Sequence, residues 1–150
     1  MVIQNDGYQT TIAFTSALIG SGVTMANILA EKELTPPGVS GGGSNDATTM
    51  RNTAWRTVAP KTLKTLTPFS IICAFDPAVY DQMVLMINDN QEMTINFPDD
   101  SELVFWAYVD EFIPGAQVEG QQPTATLNII PTNQDGDDSN AEVAPNYTCP

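Results

Sequence analysis

Apolar and polar residues alternate in several segments of this chain, and this alternation constrains its fold more than any other feature. The period of two recurs in residues 10–16, 69–75, 91–97 and 124–130. Because successive side chains of a β-strand point to opposite faces, the pattern predicts strands with one buried face. The chain is therefore expected to be mainly β.

Two neighbouring segments predict a hairpin with a central strand. Residues 91–97 lead into a turn at Pro98-Asp99-Asp100-Ser101, and residues 102–113 then form an apolar return strand. Both faces of that return strand are apolar. We expect it to be covered by a helix on one side and by a sheet on the other.

One flanking helix is predicted at about residues 76–88. Asp76 can accept hydrogen bonds from free backbone N–H groups, and proline, here Pro77, is favoured at the first helical position. The apolar stripe of this helix is expected to comprise Val79, Met83, Met86 and Ile87. An earlier segment, residues 26–34, is compatible with either a helix or a strand.

A long loop is predicted at about residues 39–60. It is irregular and rich in glycine at its start, and loops of this length are uncommon unless they have a function. This loop and the residues just after it carry Met, Trp and Arg, which are enriched at protein interfaces, together with two lysines. Inter-subunit contacts are therefore predicted at Met50, Arg51, Trp55, Arg56, Lys61 and Lys64.

The charge of the chain is strongly acidic and unevenly distributed. Five basic residues stand against eighteen acidic ones, which gives a formal net charge of −13 and argues against binding of nucleic acid by phosphate neutralisation. Every base precedes residue 65, whereas fourteen acids and no base follow Leu66. The basic segment 51–64 either complements the acidic body of another copy or is part of a solvated loop.

The sequence offers no pattern typical of an enzyme or a metal site. It has no histidine, which removes the commonest general base. The adjacent pairs Asp99-Asp100 and Asp110-Glu111 would point to opposite faces of a strand. Residues 135–140 offer oxygen ligands, but they lack the spacing of a calcium loop. No catalytic residue, metal or cofactor is expected.

The two ends of the chain are polar. Residues 11–30 are too polar for a membrane span, and no membrane insertion is expected. The acidic composition of residues 132–150 is typical of disorder. We therefore predict a domain at residues 1–131 and an acidic C-terminal tail at residues 132–150.

Several short runs, taken in their order, resemble the major tail tube proteins of bacteriophages of the siphophage type. The matching runs are KELTPPGVSGG (32–42), TTMRNT (48–53), RTVAPKTLKTL (56–66), FPDDS (97–101) and EGQQPTAT (119–126). The likeness spans residues 31–133, and Asp76-Pro77 at the start of the predicted helix agrees with it.

This resemblance implies a β-sandwich or half-barrel subunit with one flanking helix, acting as a structural virion protein. Six such subunits would form a hexameric ring with a continuous inner β-barrel, and the rings would stack into a tube through the long loop. DNA would pass through an acidic lumen without specific binding. We predict that the lumen wall is formed by Glu92, Thr94, Asn96, Thr124, Thr126 and Asn128, or else that these residues form an ordinary solvent-facing strand surface.

The implied partners are further copies of the chain, a tape-measure protein, a tail terminator and a distal tail protein. The implied location is the virion tail, with the host cytoplasm before assembly. Two alternatives remain: another virion ring component, such as a terminator or distal tail protein, and a secreted β-sandwich binding module.

Overall fold

A computed structural model describes residues 9–16, 23–24, 30–136 and 141–150. The described chain is mainly β with one short helix, as predicted. The helix α1 comprises Tyr80–Met86 and follows a 3-10 turn at Pro77–Val79. The strands are β1 (Thr11–Phe14), β2 (Val23–Thr24), β3 (Glu31–Leu34), β4 (Val39–Ser40), β5 (Ser44–Asp46), β6 (Val58–Pro60), β7 (Thr65–Leu66), β8 (Phe69–Ala74), β9 (Gln91–Asn96), β10 (Glu102–Pro114), β11 (Thr124–Pro131) and β12 (Asn146–Thr148).

Eight of these strands form one antiparallel sheet. Its order is β2-β1-β9-β10-β11-β8-β3, and β12 pairs with β10 at the end of β10 that β11 does not reach. The four remaining strands form two separate ladders, β4 with β7 and β5 with β6. The ambiguous segment 26–34 is a strand where it is described, at Glu31–Leu34, and residues 26–29 lie outside the described part.

The large sheet curls strongly on itself. Five inter-strand steps separate β1 from β3, which would place them roughly 24 Å apart in a flat sheet. Instead, the backbone N–H of Ile12 donates a hydrogen bond to Oε1 of Glu31 over 3.2 Å. The sheet is therefore strongly curved, and no second large sheet faces it within the described residues.

The apolar core lies on the concave face of this sheet. Every second residue of β8, β9 and β11 is buried, which confirms the strand faces expected from the alternation. The core strands contribute Ile12, Phe14, Phe69, Ile71, Cys73, Met93, Ile95, Phe105, Ala107, Val109, Ala125, Leu127 and Ile129. Because one face supplies all of these side chains, the opposite face of the sheet lies outside the core.

The helix begins where it was predicted and is shorter than predicted. Asp76 accepts a hydrogen bond from the backbone N–H of Ala78 over 2.9 Å, as expected of a capping residue. Met83 and Met86 are buried against the sheet, and Ile87 is half-buried. The side chain of Val79 lies outside the described part. No helix among the described residues is long and apolar enough to cross a membrane.

The second face of β10 is covered by the C-terminal segment, so the prediction of a sheet there is wrong. Trp106 is 8% exposed, and a Cβ at Gly136 would lie 3.3 Å from its ring. Further along, β12 pairs with Glu102–Val104 of β10. The prediction of a disordered tail is therefore wrong for β12, because an open position beside β10 satisfies its backbone groups.

Truncation of a core leucine tests this assignment of the core. Leu127→Ala should lower the free energy of unfolding by about 2–5 kcal/mol, because Leu127 is fully buried and its loss leaves a cavity. Leu63→Ala is the matched control, since Leu63 is 77% exposed and its truncation should change stability little. Equal effects of the two substitutions in urea denaturation would contradict the core described here.

Cys73 is part of this core, whereas Cys149 is exposed. The thiol of Cys73 donates a hydrogen bond to the carbonyl of Ala125. Burial, and next the charge of Glu31, raise the pKa of the Cys73 thiol from 9.0 to about 11. Its contribution to stability is therefore complete below about pH 9 and is lost as the pH rises through about 11.

Thiol labelling should distinguish the two cysteines. A thiol reagent at pH 8 should modify one thiol per native chain, because Cys73 is inaccessible and protonated. The second thiol should react only in denaturant, and Cys149→Ser should abolish the native reaction. Rapid modification of both thiols in the native protein would show that Cys73 is not buried.

Candidate assembly surfaces

The predicted long loop is a projecting β-arm, which we define as residues 38–67. Its two legs pair first through β4 and β7 and then through β5 and β6. Backbone hydrogen bonds extend the pairing from Thr67 and Gly38 at the root to Ala47 and Thr57 near the tip. The prediction of an irregular loop is therefore wrong, because the exposed polar residues of the two legs satisfy each other's backbone groups.

A glycine bend interrupts the arm between its two ladders. Gly42 and Gly43 have φ angles of 75° and 89°, in the left-handed region that favours glycine. Opposite them, residues 61–64 carry the two lysines of the arm. The glycine run that suggested a loop instead forms a bend within a hairpin whose two strands are paired on both sides of it.

The tip of the arm, residues 47–57, is ordered by its own polar groups. Asn52 is central: its Oδ1 accepts from the backbone N–H of Thr49, and its Nδ2 donates to the carbonyl of Trp55 over 2.8 Å. Across the tip, the backbone N–H of Thr57 donates to Oγ1 of Thr48 over 3.1 Å. These bonds fix the tip with its large side chains directed away from the arm.

Large apolar side chains are exposed along this arm. Trp55 is 84% exposed and Met50 is fully exposed at the tip. Val39, Val58 and Leu63 are exposed along the legs. An ordered segment that presents several uncovered apolar side chains is typical of a protein interaction surface.

Three of the four basic residues of the arm make no ion pair with a described residue. Within the described residues the sole ion pair joins Arg56 to Asp46, at 3.6 Å between exposed side chains. The side-chain and backbone hydrogen bonds from Thr48 hold the pKa of Asp46 below its usual 3.8. Arg51, Lys61 and Lys64 make no ion pair with any described residue, so their charge is available to another surface.

The root of the arm is anchored to the body. Leu66 is buried in the core, and the backbone N–H of Gly38 donates to Oγ1 of Thr67. Beside the root, a cavity of about 290 Å³ lies between residues 62–66 and residues 142–145 of the C-terminal segment. The arm therefore leaves the body in a direction fixed by the core and bordered by the tail.

The six residues predicted to line a lumen all lie on one face of the sheet. Strand register places Glu92, Thr94 and Asn96 on the face of Trp106 and Val104, away from the core. The register of β10 with β11 and the burial pattern of β11 place the three predicted residues of β11 on that same face. All six side chains are half-buried. The second set comprises Thr124, Thr126 and Asn128.

This polar face is acidic. Glu92, Glu102 and Glu111 lie on it, and Lys32 on the edge strand β3 is the one base among the described strands of this sheet. Glu111 is held in place by Nδ2 of Asn128, which donates to it over 2.9 Å. A surface of this kind repels phosphate groups.

A second exposed apolar surface was missed by the sequence reasoning. On the outer face of α1, Tyr80, Val84 and Leu85 are each about half exposed, next to the exposed acids Asp76 and Asp81. We call these five residues the helix patch. The signal in the sequence was the apolar pair Val84-Leu85 outside the predicted stripe, because a surface helix normally has polar residues there.

The carboxylate clusters considered in the sequence form no catalytic arrangement in the described residues. Asp99 and Asp100 lie in the turn after β9, while Asp110 and Glu111 lie at a register shift in β10. No three His, Cys, Asp or Glu side chains are grouped to hold a metal within the described ranges. Part of the oxygen-rich segment 135–140 lies outside them.

Comparison with known proteins identifies the fold through structure alone. No protein-family model matches the chain, and no curated protein sequence matches it. A chain from the six-fold symmetrised baseplate of the anti-feeding prophage is similar with a TM-score of 0.69 and 9% identity, over 99% of this chain and 98% of that one.

Two structures of a gene transfer agent are also similar. A chain from the tail of the empty particle, with C6 symmetry, has a TM-score of 0.61 and 16% identity. A chain from the native virion has a TM-score of 0.61 and 14% identity. Each comparison covers 97% of this chain and 100% of the other. The chain thus has, over its whole length, a fold found in tail and baseplate particles.

Fluorescence quenching tests the exposure of the arm tip. The chain has two tryptophans, and Trp55 is exposed whereas Trp106 is 8% exposed. Acrylamide should quench the dilute protein in two classes, and Trp55→Phe should remove the accessible class and leave shielded, blue-shifted emission. Strong quenching that remains in Trp55→Phe would show that Trp106 is open to solvent.

Proposed function

We propose that this protein is a structural subunit of a phage-type tail tube. The observation that carries the proposal is a fold shared over full length with chains of C6-symmetric tail and six-fold baseplate particles. The projecting arm supports it as well, because an ordered hairpin with an exposed tryptophan is typical of a surface that binds another protein. The resemblance of residues 31–133 to tail tube proteins agrees.

The proposed assembly is a hexameric ring in which the curled sheets of neighbouring subunits form one inner barrel. Strands β2 and β3 are the edges of the sheet within the described residues, and edges of this kind are satisfied when another strand adds to them. Closure of the ring would pair the two edges of the large sheet.

The rings would stack through the arm. Its six predicted contact residues lie within residues 50–64. Four of them are basic, and of these only Arg56 has a charged partner, Asp46, in the described chain. A contact between different surfaces of identical subunits repeats without closing, so it produces a filament. This stacking is the role we assign to Met50, Arg51, Trp55, Arg56, Lys61 and Lys64.

The acidic face of the sheet would line the channel. Glu92, Thr94, Asn96, Thr124, Thr126 and Asn128 share that face, and the two strands that carry them, β9 and β11, contain no base. DNA that passes along such a wall is repelled and does not adhere, since binding to DNA depends on neutralisation of phosphates. The protein would then act in DNA ejection as a wall, without chemistry of its own.

Within this proposal the partners are other copies, a tape-measure protein, a terminator and a distal tail protein. The protein would be located in the virion tail and, before assembly, in the host cytoplasm. Residues 1–131 would form the tube domain, with residues 132–150 as an acidic tail that covers part of β10.

A second candidate function is a ring component that does not polymerise. The similarity to a baseplate chain, with a TM-score of 0.69, favours it specifically. The two candidates share fold and symmetry and differ in whether the arm finds an acceptor on an identical ring.

Negative-stain electron microscopy of the concentrated protein at raised salt tests the proposal. Salt screens the repulsion between bodies of net charge −13, so hollow tubes with a regular axial repeat are expected. Isolated rings would favour the ring component. Monomers under all conditions, also with a tape-measure protein present, would overturn both candidates.

A charge-reversal pair identifies the contribution of the arm in this assay. Arg51→Glu should shorten or abolish the tubes, because Arg51 lies at the exposed tip. The double variant Gln121→Glu/Gln122→Glu makes the same change of net charge at exposed positions of the β10–β11 turn, outside the arm and the sheet edges, and should affect tube length less. An equal loss with both variants would attribute the effect to net charge alone.

A further inference from the structure

We propose that the acceptor for the arm tip is the helix patch of a second copy, in the adjacent ring. In this contact Trp55 and Met50 pack on Tyr80, Val84 and Leu85, and Arg51, which makes no ion pair with a described residue, faces Asp81. The inference rests on the proposed function and adds to it the surface that the arm recognises.

The apolar groups of the two surfaces complement each other. The tip presents Trp55 and Met50, which are types enriched in the buried centres of interfaces. The helix patch presents Tyr80, Val84 and Leu85 on consecutive turns of one helix. Each surface is uncovered in the described chain, and contact between them would remove both from water.

The charges of the two surfaces are opposite. Residues 50–56 contain Arg51 and Arg56 and no acid, whereas residues 76–86 contain Asp76 and Asp81 and no base. Both acids are exposed, and α1 has no base in its last turn. Complementary charge steers association and fixes its register, which suits a contact that must repeat identically along a tube.

Chain connectivity places the two surfaces at opposite ends of the body. The arm enters β8 at Phe69, and the helix patch begins directly after β8 ends at Ala74. This six-residue strand separates the two ends by roughly 20 Å. Tyr80 also contacts the ring of Phe112, near the C-terminal end of β10, which is the end away from the arm.

The position of the two surfaces at opposite ends of the subunit determines which kind of assembly the contact produces. The arm is rooted at the end of β8 opposite the helix patch of its own subunit, so in this proposal the tip meets the patch of another copy. Repetition of that step produces head-to-tail stacking. The internal hydrogen bonds of the tip reduce the conformational entropy lost on docking.

A charge swap tests the acceptor directly. Arg51→Glu and Asp81→Arg should each raise the protein concentration needed for tube formation roughly tenfold or more. The combination of the two should restore assembly toward the wild-type value, because the pair is re-formed with its signs exchanged. Sedimentation measures the soluble fraction, and circular dichroism with urea denaturation verifies that each variant is folded.

Glu119→Arg is the matched control. Glu119 is an exposed acid in the β10–β11 turn at the same end of the subunit, outside the helix patch. It should assemble as the wild type does. Assembly in Glu119→Arg together with rescue in the double variant supports the helix patch as acceptor.

Other outcomes would contradict the helix patch as acceptor, and they can be distinguished from a failure of the tube proposal. If wild-type tubes form while Asp81→Arg assembles normally, the acceptor lies elsewhere and only this inference fails. If Glu119→Arg is defective and Asp81→Arg is not, the turn is the acceptor. If the wild type forms no tubes with a tape-measure protein present, the proposed function itself fails.

Discussion

The concave apolar face shared by the core strands is the constraint on which the other surfaces depend. Because Ile71, Met93 and Leu127 must point into one core, their alternating neighbours must point outward. A shift of register by one residue would exchange the two sets and bury Glu92 and Glu111. The acidic face is therefore a consequence of core formation, and the bond from Ile12 to Glu31 shows how far the sheet bends to enclose that core.

Apart from Leu66, the arm contributes no side chain to the core cluster of this body, and neither does the tail. Leu66 anchors the arm, while the tip is held by local hydrogen bonds centred on Asn52. The tail occupies the position beside β10 that β11 leaves open, and it shields Trp106. Uncovered apolar and charged groups are consequently concentrated at the two ends of the subunit, where a stacked assembly would need them.

The sequence predicted those parts of the fold that local patterns determine. The strands of period two, the Asp76 cap and the hairpin turn at residues 98–101 were correct because each depends on a few neighbouring residues. The pairing of the arm, the β12 strand and the helix patch were missed. Ser44–Asp46 and Asn146–Thr148 are polar, so their strands arise from backbone partners distant in sequence. The arm was predicted as a contact segment from its residue types, and that role stays a prediction, because its acceptor depends on tertiary arrangement.

Cryo-electron microscopy of the assembled protein would show which face of the sheet borders the channel, and so whether the acidic face is the channel wall. We expect Glu92, Thr94 and Asn128 to line the interior, with the core and α1 at larger radius. A reconstruction in which this face lies on the outer surface, or in which the strands run around a solid centre, would contradict the account. It would leave the acidic face as an ordinary solvent surface.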